Sequence, residues 1–212
     1  MSDKELSEDL NAVIAELEGK CAEMPKSVVA HHHLAMVYHK AGRHNDAVKE
    51  LKECIKIDDQ SGEAYINLGA IYFEMGKLDE SLEANKKALH YTPADSAKAQ
   101  AHCNIGLIEQ QHGKLPEALD AYTKATMHDP KLAFAWINLA SVQIAHDDFA
   151  AALVSAKKGV EHEPDFPMAH NNLAVALYYN KDYAGAKKAL DKAKQLGYAP
   201  EPLFVEALEK EL

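Results

Sequence analysis

Apolar residues in this chain recur at steps of three and four, in stripes that are short and regularly interrupted. From Tyr65 one stripe runs through Leu68, Gly69 and Tyr72 until Gly76 breaks it, and a second runs from Asp79 to about Tyr91 before Pro93 ends it. Both have the period of an amphipathic helix, and the glycine between them marks a turn, so the unit is a helix hairpin. The unit then repeats. Ile66-Asn67-Leu68-Gly69, Cys103-Asn104-Ile105-Gly106, Ile137-Asn138-Leu139-Ala140 and Asn171-Asn172-Leu173-Ala174 are spaced by 37, 34 and 34 residues, with a degenerate copy, His32-His33-Leu34-Ala35, 34 residues ahead of the first. Pro93, Pro130 and Pro164 keep the same step. A fixed period of this size belongs to stacked repeats rather than to a single closed core.

Within the period, small residues hold fixed places. Ala35, Gly69, Gly106, Ala140 and Ala174 recur on the first helix, and Ala47, Ser81, Ala118, Ala152 and Ala186 on the second. Such pairs of columns let two backbones approach where the helices cross. Gly42, Gly76 and Gly113 fill the slot between the helices, where positive φ makes a tight reversal. Asp147 and Lys181 occupy that slot in the last two copies, so a different turn geometry is expected there. Asn85 and Ala156 stand where a large apolar residue is usual, and Ser96-Ala97-Lys98 is an insertion; both predict looser local packing.

The ends complete the stack. Ser2-x-x-Glu5 has the form of a capping box. Leu6, Leu10, Val13, Ile14, Leu17 and Cys21 form one helical stripe after it, so residues 1–27 are expected to be an N-terminal cap helix. Pro202 suits a first helical turn, and Leu203, Phe204, Ala207 and Leu208 are placed to cover the last repeat, making 201–212 a C-terminal cap. The expected architecture is all-α: one right-handed solenoid domain, residues 1–212, with five hairpins near 28–61, 62–95, 99–132, 133–166 and 167–200.

The residues at these places resemble the tetratricopeptide repeat (TPR) family. One copy matches with Tyr65, Leu68-Gly69, Tyr72, Ala88 and Pro93, the next with Ile105-Gly106, Ala118, Tyr122, Ala125 and Pro130, and another with Trp136, Leu139-Ala140, Ala152 and Pro164. The resemblance covers about residues 28–200. It implies a non-catalytic binding role in which the first helices line a concave surface that receives a protein or an extended peptide segment. Chaperone-binding members grip a C-terminal carboxylate with Lys and Arg on first helices. Here the equivalent sites carry His32, Met36, Gln100 and Asn104, so that adaptor role is disfavoured.

Asn67, Asn104, Asn138 and Asn172 fall on one equivalent site of four consecutive first helices. An amide offers two donors and an acceptor, the complement of a peptide bond. The column is similar to the asparagine ladder in the TPR superhelix of O-linked N-acetylglucosamine transferase, which grips peptide backbones. Two readings are open: contact with a ligand backbone, or hydrogen bonds within each repeat that merely fit the family's consensus. Helical spacing puts Ile66, Phe73, Ile137, Ile144, Val175 and Tyr178 on the same face. They are expected to form pockets for ligand side chains unless neighbouring loops or a tight superhelix cover some of them.

Charge and composition narrow the partners. The chain has 23 Lys and Arg against 33 Asp and Glu, a net charge of −10, of which −7 falls in the two terminal caps, leaving the repeat body nearly neutral. No basic face suits a phosphate backbone, so nucleic acid is not expected. No stretch is apolar enough to span a membrane. Three dispersed cysteines predict reduced thiols and a cytoplasmic setting.

Twelve histidines suggest metal, yet His31, His102 and His170 share the bulky column of Tyr65 and Trp136, and His90, His128 and His162 share another. His32, His33 and His39, with Met36 between, have no cysteine or carboxylate at ligand spacing nearby, so no metal or cofactor is expected. No nucleophile, phosphate-loop or metalloprotease motif is present, so the chain is not expected to be an enzyme. The leading reading is an adaptor or scaffold, expected to be a monomer. The alternative is a self-assembling structural protein acting through its edges or convex face.

Overall fold

The computed structural model describes residues 3–212, with side chains from Leu10 onward; the Ser2 capping box lies outside the described residues. Twelve helices and no strand occur among them. The N-terminal helix α1 is Asp3–Glu23. Five hairpins follow: α2 Val28–Lys40 with α3 His44–Ile57, α4 Gly62–Glu74 with α5 Leu78–Tyr91, α6 Asp95–Gln111 with α7 Leu115–His128, α8 Ala133–Ala145 with α9 Phe149–His162, and α10 Pro167–Tyr179 with α11 Tyr183–Gln195. The last helix, α12, is Pro202–Glu209. No described helix is long and apolar enough to cross a membrane.

The chain forms two compact units, Met1–Asn104 and Ile105–Leu212. In the first, Ile14 and Cys21 of α1 pack on Leu34, Ala35 and Tyr38 of α2, and the same core continues through Leu51 to Leu68 and Ile71. Val13, expected in the α1 stripe, is instead exposed. In the second unit, Leu208 and the flanking Phe204 and Val205 of α12 close over Leu177, Ala186 and Leu190. Leu203 lies on the opposite side of this short helix and is 71% exposed, so it does not join the cap as its sequence position suggested.

Both small-residue columns are buried throughout. The reason is visible at two glycines. A methyl group at Gly106 would come within 2.6–2.8 Å of the Tyr122 ring, and one at Gly69 would collide with the Asn85 side chain. Tyr122, Asn85, Leu51, Ala156 and Leu190 occupy one column of the second helices; Tyr122 and Asn85 are matched by glycine on the first helix, whereas the other three hairpins carry Ala35, Ala140 and Ala174 there. Asn85 does not loosen the packing. It is fully buried, donates to Ser81 O at 2.9 Å and accepts from Asn104 Nδ2 at 3.0 Å, while Ser81 Oγ donates to Gly69 O at 2.6 Å. The Ser96-Ala97-Lys98 insertion is absorbed as an extra turn: α6 has 17 residues where the other first helices have 13.

The turns correct the sequence reading. Asp147 (φ 58°) and Lys181 (φ 66°) adopt the same left-handed conformation as Gly42, Gly76 and Gly113 (φ 72–74°). Each of the five makes the same pair of backbone bonds onto the end of the first helix, as in Lys181 N to Tyr178 O and Asp182 N to Leu177 O. A left-handed residue with a side chain costs about 1–2 kcal/mol. In the last two repeats the next residue is aspartate, and it caps the second helix: Asp148 accepts from Ala151 N and Asp182 from Gly185 N. Arg43, Lys77 and Lys114 make no such cap in the glycine-containing turns. A cap is worth about 1 kcal/mol, which offsets the strain.

Replacing Lys181 by glycine is therefore expected to stabilise the protein by about 0.5–1 kcal/mol, after allowing for glycine's greater unfolded-state freedom. Asp182→Ala is expected to cost about 1 kcal/mol. Urea and thermal unfolding of the two variants check both signs, and a Lys181→Gly protein that melts lower would contradict the strain assignment.

Candidate functional site

The four asparagines of the column hold different places. Asn104 is 9% exposed; it donates to Asn85 Oδ1 and accepts from Gln100 Nε2 at 3.1 Å. Asn172 is 6% exposed and donates to the backbone of the preceding first helix, at Ile137 O, 3.0 Å away. Asn67 is half-buried, with Nδ2 2.7 Å from Nε2 of His32, again one repeat back. Asn138 is half-buried and lines a cleft. The amides of Asn67, Asn104 and Asn172 thus reach back to the repeat before, a role between repeats that neither of the two readings open from sequence described. Asn67 and Asn138 alone also keep partial exposure.

The apolar face is more covered than its helical spacing suggested. Ile137 is 1% exposed and packs with Ala133 and Ala169; Ile66 is buried against Tyr65, Ala88 and Ala101. Adjacent helices cover both. Phe73, Ile144 and Val175 are half-buried. Tyr178 is half-buried and makes edge-on contacts with Tyr179, Tyr183 and Phe204, whose ring centroids lie 5.2–5.6 Å away, so it helps seat α12.

The cleft at Asn138 lies wholly in the second unit and has a volume of about 410 Å³. Leu107, Gln110 and Gln111 of α6, Asn138 and Ser141 of α8 and Met168 of α10 line it, so all its walls are first helices. Three amides and a hydroxyl supply donors and acceptors, and Leu107 and Met168 supply apolar area. Sequence reasoning found Asn138 but missed Gln110, Gln111 and Ser141; Ser141 follows Asn138 by three residues and Gln111 follows Asn104 by seven, both helical spacings. In the first unit a cleft of about 350 Å³ between α4 and α5 has Tyr65, Leu68 and Tyr72 on one wall and Asp79, Glu80 and Glu83 on the other.

The histidine column has a structural use. His31, Trp136 and His170 each approach a proline carbonyl six residues upstream: Nε2 of His31 lies 3.3 Å from Pro25 O, Trp136 Nε1 donates to Pro130 O at 2.8 Å, and Nε2 of His170 lies 2.7 Å from Pro164 O. A ring nitrogen at this site ties down the turn between repeats.

Two groups of potential metal ligands arise that sequence spacing did not show, Cys21–His31–Glu50 and His39–His44–Glu74, each with its donor atoms within 4.8 Å of one another. In both, the carboxylate comes from another helix. Burial and then the nearby Glu50 raise the Cys21 thiol, and the same two causes push Cys54 up to about 12. At neutral pH both stay protonated, which is the poor state for a nucleophile.

Family models agree with this geometry. Tetratricopeptide repeat models match residues 60–126 and 137–200, and a TPR repeat model matches 35–76. The chain belongs to the tetratricopeptide repeat family. As a TPR protein it is 33% identical over 90 residues to the small glutamine-rich tetratricopeptide repeat-containing protein 2 of Mycosarcoma maydis, a match covering 42% of this chain and 25% of that protein. It is 39% identical over 56 residues to tetratricopeptide repeat protein 14 of Mus musculus, covering 26% of this chain and 7% of the relative. The chain therefore spans a quarter or less of the curated relatives it matches. Among solved structures it is similar to YrrB, described as a TPR protein with an unusual peptide-binding site (TM-score 0.68, 16% identity, 92% of this chain and 97% of that one). It is also similar to Pseudomonas aeruginosa pilF (TM-score 0.75, 21% identity, 86% and 83%). At these identities the likeness is one of fold.

The environments of the TPR asparagines separate by experiment. Asn104→Ala strands the fully buried amide oxygen of Asn85 and is expected to cost about 1–3 kcal/mol. Asn138→Ala, at a half-exposed site, is expected to cost about 1 kcal/mol or less. Urea titration of both variants tests this, and equal losses would contradict it.

Proposed function

We propose that this TPR protein is a non-catalytic adaptor or scaffold that holds an extended segment of a partner protein against its first helices, in a reducing compartment such as the cytoplasm. The observation that carries the reading is the cleft around Asn138. Its amides match the donors and acceptors of a peptide backbone, and Leu107 and Met168 give an apolar rest for ligand side chains. Asn138 is the contact residue of the column in the second unit, and Asn67, half-buried on the same helix as Phe73, is its counterpart in the first. Asn104 and Asn172 support these contacts by holding first helices in register, and Ile66 and Ile137 do so from the core. Ile144 and Tyr178, each half-buried at the end of its helix, border the surface that a bound segment would cross. Absence of catalysis fits the raised thiols and the motif-poor sequence.

The test is a selection of displayed peptides against the full chain, followed by affinity measurement with a selected synthetic peptide. Losing two hydrogen bonds at about 0.5–1.5 kcal/mol each in a Gln110→Ala, Asn138→Ala double variant is expected to weaken binding about tenfold or more. Salt should change it little, because the contacts are neutral. Unchanged affinity in the folded double variant would overturn the reading.

Self-association is the second reading, favoured by the exposure of Leu203 on the terminal helix. The adaptor reading expects a monomer in sedimentation over a hundredfold dilution. Concentration-dependent assembly that Leu203→Glu abolishes would favour the scaffold built from copies of this chain.

A further inference from the structure

We propose that His39, His44 and Glu74 form a binding site for a divalent transition-metal ion of the Zn²⁺ class, at the turn edge of the first two hairpins. The ligands converge for local reasons. His39 is in the last turn of α2, His44 opens α3, and the left-handed Gly42 reverses the chain between them, bringing the two imidazole centroids to 5.5 Å. Glu74 is the last residue of α4, one repeat further on, and its Oε2 lies 2.8 Å from His39 Nε2 and 3.7 Å from His44 Nδ1. A tetrahedral ion with bonds of about 2.1 Å holds its donors about 3.4 Å apart, so small side-chain rotations suffice.

An unmet requirement points the same way. Nδ1 of His44 is buried and makes no hydrogen bond, although it faces a carboxylate. A buried ring nitrogen without a partner is costly, and a cation between it and Glu74 would satisfy both. The other ligand group lacks this feature: His31 has Nδ1 2.6 Å from Glu50 and Nε2 facing Pro25 O, so both its nitrogens are engaged. Nor does Arg43 oppose a cation at the first group. Its Nε donates to Asp46 at 2.6 Å, and its guanidinium lies over the Tyr38 ring.

Two imidazoles and one carboxylate suit Zn²⁺, Co²⁺, Ni²⁺ or Cu²⁺ better than Mg²⁺ or Ca²⁺, which prefer all-oxygen shells. Three protein ligands leave a fourth position open, and a cleft of about 370 Å³ lined by Gly42, His44, Asn45, Met75 and the Arg43–Asp46 ion pair adjoins the site. The bound ion would link the first hairpin to the end of α4 and accept a water or a partner's donor.

Zn²⁺ titration of the full chain by calorimetry tests this, with Mg²⁺ and a His90→Ala variant as controls. One equivalent of Zn²⁺ should bind, reverse with EDTA and raise the melting temperature, while Mg²⁺ does none of these. His44→Ala and Glu74→Gln should each lose at least tenfold in Zn²⁺ affinity with an unchanged circular dichroism spectrum, and His90→Ala should bind as the parent does. A second measurement needs no variant. Co²⁺ added to the parent protein should give d–d bands without thiolate charge transfer and should perturb the His39 and His44 ring resonances first. Absence of a stoichiometric site, parent-like binding by both variants, or a thiolate band marking Cys21 would each overturn the proposal.

Discussion

Where the two helices of a hairpin cross, neither carries more than a methyl or hydroxymethyl group, and this close approach governs the rest of the molecule. Ala35, Gly69, Gly106, Ala140 and Ala174 on one side, and Ala47, Ser81, Ala118, Ala152 and Ala186 on the other, are all buried. With the crossing so tight, the neighbouring column of the second helix becomes the variable filler: Leu51, Asn85, Tyr122, Ala156 and Leu190 differ widely in size yet are all essentially inaccessible. Close packing tolerates that variety only if the opposite residue compensates, as Gly106 does for Tyr122.

The polar filler shows how the constraint spreads between repeats. Asn85 cannot remain buried unless its amide is fully partnered, since an unpartnered group there would cost about 1–3 kcal/mol. Ser81 and Asn104 supply those partners, and Asn104 belongs to the next first helix. A substitution that would weaken one hairpin therefore becomes a directional link to its neighbour. The same logic runs along the first helices, where Asn172 reaches Ile137 O and Asn67 reaches His32. These amides fix the rotation of one repeat on the next, which nonspecific apolar contact does poorly.

Helix positions, hairpin pairing and the terminal caps were legible in the sequence because each depends on residues within one 34-residue period. What depended on a neighbouring period was not. Whether Asn138 faces a cleft while Asn172 is buried is set by how the adjacent helix lies over it, and the spacing pattern is identical at both. Glu74 meets His39 because α4 ends beside α2, so a search for ligands along one helix could not reveal it. The turns at Asp147 and Lys181 were misread for another reason. A residue preference was taken as a requirement, whereas a cap at Asp148 or Asp182 lets a non-glycine residue hold positive φ.

Binding surface in such a stack is what inter-repeat packing leaves unused. Ile66, Ile137, Asn104 and Asn172 are committed to neighbours, and a ligand could recruit them only by breaking those contacts. The side chains around Asn138 are less committed to the core: Gln110 is exposed, although its amide oxygen accepts from the buried Tyr122 hydroxyl at 3.1 Å, Gln111 is exposed, Ser141 and Leu107 are half-buried, and Met168 projects from the start of α10. Their hydrogen-bonding groups can exchange water for a peptide at small cost to stability. A repeat protein can therefore change its ligand by substitution at these positions while the small-residue crossings and the buried amides keep the scaffold unaltered. On the proposed reading, specificity and stability share the same first helices and are separated by how far the neighbouring helix covers each position.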